Sequence, residues 1–215
     1  MSQVVFDAVY CLDAPQGIDC FSNVWKSAPK YNFSFAKDRS GIPVEGGEIC
    51  FAWNEKGFYV AAEFEDSVLI SKHRKDEVLH YQFSDVLELF IKPADDLYYW
   101  EMYATPFGNK STLFFSEERA GLKLEKDFLQ GHSFHGLEVC SEKSSKGWKT
   151  QMWIPVEQLT ALGAEWGAEA NWRIFCGRYN YNSEDLKDLE LSMAPAISTT
   201  NYHLTEEYAV LNFKR

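Results

Sequence analysis

The chain has 215 residues, with 21 Lys and Arg against 32 Asp and Glu, for a formal net charge of −11 at neutral pH. That balance argues against nucleic-acid backbones and anionic lipid surfaces, which are held by basic patches, and leaves neutral or cationic partners. No window approaches the roughly 18 uninterrupted apolar residues of a membrane-crossing helix, so no membrane association is expected.

The opening residues, MSQVVFDAVYCLDAP, carry neither a basic leader nor an apolar signal core, so a chain that is complete as it stands would be cytoplasmic. The first clear element is EICFAWNEKGFYVAAEFED. Ile49, Phe51 and Trp53 alternate with Cys50 and Ala52, Asn54 to Gly57 supply a turn, and Phe58, Val60, Ala62 and Phe64 then alternate with Tyr59, Ala61 and Glu63, which predicts a β-hairpin. SDVLELFIKP follows as a strand. Extended, it places Leu87, Leu89 and Ile91 on one face and Val86, Glu88 and Phe90 on the other. A carboxylate between two hydrophobes marks either a solvated sheet surface or a concave one that receives a polar ligand.

Further strands are predicted at LYYWEMYAT, KSTLFFS, GLEVCSE, GWKTQMWIP, NWRIFCGRYNYN and EYAVLNF, with turns at PADD, PFGN and SSKG. A helix is expected over Pro155 to Gly163, with Val156, Leu159 and Leu162 on one side and Gly163 as its stop. Many strands and one short helix give an all-β fold, an antiparallel β-sandwich with an aromatic core, and residues 1–215 are read as a single domain. Trp100, Trp148, Trp153 and Trp172 alternate within strands and are assigned to packing.

The five cysteines, Cys11, Cys20, Cys50, Cys140 and Cys176, are scattered and form no CxxC pair, so they are expected as free, buried thiols. HSFH brings His132 and His135 together without a second ligand pair, and is read as a loop. Asp66, Asp76, Asp95 and Asp96 lie near turns and are the candidate oxygens for a structural calcium. They lack EF-hand spacing, and no metal ligand or other cofactor is assigned. Met102 is assigned to the core rather than to an axial haem position. Glu88 and Glu101 fall on adjacent predicted strands, but nothing separates an acid from a base, so glycoside hydrolysis is not expected.

Near the start, GIDCFSNVWKSAPKYNF carries an Ile-Asp pair, Trp25, Ala28, and the aromatic pair Tyr31 and Phe33. Then come AWNEKGFYVAAEFED, DVLELFIKP, YYWEMYATPFG, GWKTQMWIP, an Asn-Trp-Arg strand and a closing aromatic before YAVLNF. This colinear series, over about residues 17 to 213, resembles the carbohydrate-binding module family 9-like domains of the DOMON-like β-sandwich group. The resemblance implies a non-catalytic module, in the family secreted or periplasmic. Its implied partners are a neutral sugar or sugar end and a glycoside hydrolase acting on the same polysaccharide.

It further implies that Glu88 is the carboxylate that accepts sugar hydroxyls and that Tyr202 is the late stacking ring. Six residues before Glu88, where the family places its first stacking Trp, this chain has Gln82 between Tyr81 and Phe83, and a one-residue bulge would bring either ring into place. Tyr103 stands where some members carry an Arg; Arg178, on a strand similar to one lining the site in the family, is the candidate cationic contact, and Gln82 a further contact to sugar hydroxyls. Trp25 is expected to be buried between the N-terminal segment and the sandwich. Two other classes stay open beside sugar binding, a haem-binding redox domain of the DOMON-like group and an interaction domain without a ligand.

Overall fold

The computed structural model describes residues 3–12, 23–116 and 136–215. The predicted hairpin forms as β3 (Gly47–Trp53) and β4 (Gly57–Glu65). Its turn closes because Asn54 Oδ1 accepts the backbone N–H groups of Lys56 and Gly57, each at 2.9 Å. The other predicted strands appear as β5 (Val86–Pro93), β6 (Tyr99–Ala104), β7 (Lys110–Phe115), β8 (Glu138–Ser144), β9 (Gly147–Pro155), β10 (Trp172–Tyr181) and β12 (Ala209–Lys214).

Three strands escape the sequence reading: β1 (Val5–Tyr10), β2 (Tyr31–Asn32) and β11 (Leu189–Ala194). The strands form one continuous sheet in the order β7-β6-β5-β10-β12-β1-β3-β4-β9-β8, with β11 joined to β10 and β2 to β3. All pairings are antiparallel except those of β1, which runs parallel to both β12 and β3. The expected β-sandwich with one short helix is what forms, with β1 as its parallel strand, joining the two halves.

Those halves fold over a shared core. Leu87, Leu89 and Ile91 of β5, Met102 of β6, and Ile174 and Cys176 of β10 pack with Phe51 and Trp53 of β3, Val60 and Phe64 of β4, and Trp148 and Ile154 of β9. Met102 is wholly enclosed there, and Trp100, Trp148, Trp153 and Trp172 are all buried, in keeping with packing roles. The far ends of the sheet meet through side chains: Lys110 Nζ donates to the Leu137 carbonyl, and Ser141 Oγ to that of Thr105 at 2.8 Å.

The predicted helix is a single turn, α1 (Val156–Leu159). The chain leaves it through Gly163 at φ +98°, and Leu162 is 58% exposed, so the apolar stripe ends at Leu159. Trp25 is half-buried, not enclosed, against a small outer cluster of Cys11, Ala52, Tyr59 and Trp153. Cys11, Cys50 and Cys176 are free and buried as expected, whereas Cys140 is disulfide-bonded, and Cys20 lies outside the described residues.

Candidate functional site

Every residue of β5 is buried, on both faces. The face opposite the shared core meets a second apolar cluster, in which Val86 and Phe90 pack with Tyr99, Tyr103, Phe115, Phe175, Tyr202 and Tyr208. Glu88 lies between Val86 and Phe90 and is 2% exposed, so the solvated-surface alternative does not hold. Its neighbours follow from register: Gly177 of β10 stands opposite it on one side and Tyr103 of β6 on the other. Because Phe90 pairs with Glu101, the second carboxylate is the diagonal neighbour of Glu88 on the same face, and it is 4% exposed.

Two chain segments raise walls above this floor. The 3₁₀ turn His80–Gln82 presents Tyr81, whose main-chain carbonyl accepts the Tyr181 hydroxyl at 2.7 Å. The stretch before β12 presents Tyr202, with Asn201 and His203 on either side. The Tyr202 hydroxyl donates to the Arg178 and Ser192 carbonyls at 3.2 and 3.0 Å, which pins the ring across β10. Gly177 permits this, since a Cβ there would stand 2.3 Å from Tyr202 Cε2. Tyr179 closes the third side, 5.5 Å from the Tyr81 ring and 5.7 Å from the Tyr202 ring between centroids. The result is a cavity of about 250 Å³ with Glu88 and Glu101 among tyrosine rings. Two larger hollows, of about 390 and 850 Å³, lie on the other half, over β3, β4 and β9, away from this carboxylate pair.

The electrostatics keep the phenols neutral. Burial first, then the Glu101 and Glu88 carboxylates, hold the Tyr103 hydroxyl well above its ordinary range, and burial followed by the same two carboxylates does so for Tyr179. Burial and then Glu88 raise Tyr202 likewise. These hydroxyls remain donors. Tyr103 already donates to Glu101 Oε1. His203 Nδ1 lies 2.8 Å from the Tyr99 hydroxyl, which orients its ring at the cavity edge.

Of the six residues singled out from sequence, Tyr81, Glu88 and Tyr202 line the cavity together. Tyr103 is fully buried beneath the cavity and outside its lining, and its hydroxyl donates to Glu101 Oε1. Gln82 is exposed, and its amide donates to the Tyr81 hydroxyl at 3.1 Å; the ring of its neighbour takes the wall position. Arg178 is on the opposite face, because it pairs with Leu87 while its neighbour Gly177 pairs with Glu88. Its guanidinium is wholly enclosed. It donates to the carbonyls of Glu45 and Glu65 at 2.9 and 2.7 Å, to Asn180 Oδ1 at 2.7 Å and to Asp66 Oδ2 at 3.3 Å. Arg178 therefore ties loops at the end of the sandwich and does not contribute a cation to the cavity.

Tyr179, Glu101, Gly177, Asn201 and His203 were not assigned to the site from sequence. The period-2 alternation of β10 would have found Tyr179, once the pairing of Gly177 with Glu88 was known. Among the described residues, no group of three or more His, Cys, Asp or Glu is placed to hold a metal ion. The four candidate calcium ligands are dispersed: Asp66 meets Arg178, Asp76 accepts from Asn109 and Lys110, and Asp95 and Asp96 lie near Glu165 and Glu169. His132 and His135 fall outside the described residues.

No protein-family model matches the sequence, and no curated protein matches it significantly. Solved structures do. A Bacteroides uniformis protein whose carbohydrate binding is itself inferred superposes with a TM-score of 0.74 at 12% identity, over 99% of this chain and 100% of its own. A carbohydrate-binding module of family 9 (CBM9) from Caldicellulosiruptor kristjanssonii, in complex with cellotriose, superposes at 0.66 with 14% identity, over 97% of this chain and 93% of its own. The fold is CBM9-like. The same module with glucose gives 0.66 and 14%, over 97% and 95%. At such identity the CBM9-like likeness speaks for the fold, and function rests on the cavity.

Proposed function

We propose that the chain binds a sugar or sugar end, without catalysis, in the cavity over β5, β6 and β10. The observation that carries this reading is Glu88, a carboxylate 2% exposed at the floor of a hollow walled by Tyr81, Tyr179 and Tyr202. A carboxylate accepts vicinal hydroxyls through charge-assisted hydrogen bonds. Tyrosine faces suit the apolar side of a pyranose, and the Tyr179 hydroxyl, held protonated by its burial, can donate to its oxygens. Asn201 and Thr200 add an amide and a hydroxyl at the rim. At about 250 Å³ the cavity lies below the roughly 300–1,000 Å³ of larger ligand pockets, which favours one ring or chain end over a long segment. The neighbours solved with glucose and cellotriose support the same class of ligand. A glycoside hydrolase acting on the same polysaccharide is the partner such binding would serve.

The test is a glycan array followed by calorimetry. Glu88→Gln is expected to weaken binding about ten- to a hundred-fold, the loss of bonds worth about 1.5–3 kcal/mol, with a cooperative melt retained. Unchanged affinity would remove Glu88 from the site. Steady release of an aryl group from aryl-glycosides, abolished in Glu88→Gln, would make the protein an enzyme instead.

A further inference from the structure

Resting on that sugar-binding reading, we propose that Tyr179 is the specificity-determining residue of the cavity, its hydroxyl donating to one oxygen of the bound sugar and rejecting sugars that lack it. The other tyrosines in and around the hollow have hydroxyls committed within the protein. Tyr202 donates to the Arg178 and Ser192 carbonyls, Tyr208 to the Tyr202 carbonyl at 2.6 Å, Tyr181 to the Tyr81 carbonyl and Tyr103 to Glu101 Oε1. The Tyr99 hydroxyl lies against His203 Nδ1, and that of Tyr81 takes the Gln82 amide at the exposed rim. Tyr179 differs: among the described residues its hydroxyl has no hydrogen-bond partner.

Register fixes where that donor stands. Tyr179 pairs with Val86 of β5 and Leu191 of β11, which makes it the diagonal neighbour of Glu88 on the cavity face. Its ring is held between those of Tyr81 and Tyr202, so the hydroxyl is positioned before any ligand arrives. Burial, above all, keeps the phenol protonated and therefore a donor. A sugar hydroxyl or ring oxygen supplies the acceptor that the protein does not. A deoxy sugar leaves the donor unmatched inside a half-buried hollow, and a site built around a hydrogen bond discriminates by that loss.

The experiment is a calorimetric titration of the full native chain, Tyr179→Phe and Tyr181→Phe with D-glucose and its 2-, 3-, 4- and 6-deoxy derivatives. Where the array selects another sugar, that sugar and its monodeoxy derivatives take the place of the glucose series. Tyr179→Phe keeps the ring face and removes only the hydroxyl. It is expected to weaken glucose binding about three- to tenfold, the scale of one neutral hydrogen bond, and to leave one deoxy derivative binding as it does to the native chain. The remaining derivatives should fall in step with glucose. Tyr181→Phe, which loses a bond within the protein, should lower every affinity by the same factor. Because no described protein hydrogen bond ends on the Tyr179 hydroxyl, the melting temperature of Tyr179→Phe should match that of the native chain; a large drop would give the hydroxyl a structural partner and overturn the inference. Native affinity for glucose in Tyr179→Phe, or an equal loss across the whole series, also overturns it and leaves sugar binding standing. Failure of every sugar, here and on the array, overturns both readings.

Discussion

Gly177 shows how one residue without a side chain sets the site. The Tyr202 ring lies on its backbone, so Tyr202 is a fixed wall rather than a mobile stacking face, and it is 5% exposed. In Gly177→Ala the new methyl would meet Cε2 and Cδ2 at 2.3 and 2.6 Å, and those atoms belong to a ring anchored by two hydrogen bonds. The ring must move or the strand must bend. The expected outcome is a loss of about 1–3 kcal/mol in stability, read by denaturant titration, with a larger fractional loss of sugar affinity than Glu88→Gln produces. Normal binding by Gly177→Ala would show that the ring is not part of the recognition surface.

Among elements, the site depends on loops that are tied by buried polar groups at one end of the sandwich. Asp85, at the entrance to β5, accepts the backbone N–H groups of Ile70 and, at 2.8 Å, of Tyr181, linking the segment before the His80–Gln82 turn to the end of β10. Burial, reinforced by Asp66 and opposed by those two N–H groups and Arg178, pushes its carboxyl from 3.8 up to about 8. The sign follows from linkage. A folded-state pKa above the unfolded one means that the folded form holds the proton longer, so this contribution is fully present below 3.8 and lost as pH rises through about 8. Asp66, raised to about 6 chiefly by burial, acts in the same direction over a narrower window. The melting temperature of Asp85→Asn should therefore fall less with rising pH than that of the native chain across this window. Parallel pH profiles would refute the assignment.

For the whole molecule, β1 is the join. It pairs with β12 through Val5–Val9 and with β3 through Ala8–Tyr10, both parallel, so one strand connects the half that carries the cavity to the half that backs it. Removing residues 1–10 would leave two unpaired strand edges and open the shared core along Phe6 and Ala8. The expected result is loss of the cooperative melt and aggregation on gel filtration. A truncated chain that elutes with the native chain's oligomeric state and melts as before would show that the other pairings hold the halves together without it.

The amino-acid sequence by itself determined the strands with clear alternation, the Asn54 turn and the face that Glu88 shares with Val86 and Phe90. These follow from local periodicity and turn chemistry, which a short window contains, whereas Tyr202, and Tyr81 or Phe83, are singled out through the resemblance to the family 9-like modules. Only the tertiary structure decided which of two adjacent residues on β10 faces Glu88. A shift of one residue in register exchanges the faces of an entire strand, and the pairing of Gly177 with Glu88 sends Arg178 to the far side and Tyr179 into the cavity. The same holds for β1, whose six residues gain their place from β12 and β3, the former some 200 residues away along the chain. It holds too for Glu101, which joins the site because an antiparallel register makes it diagonal to Glu88. Side-chain direction along a strand is a local property, whereas proximity across strands depends on pairing between distant segments.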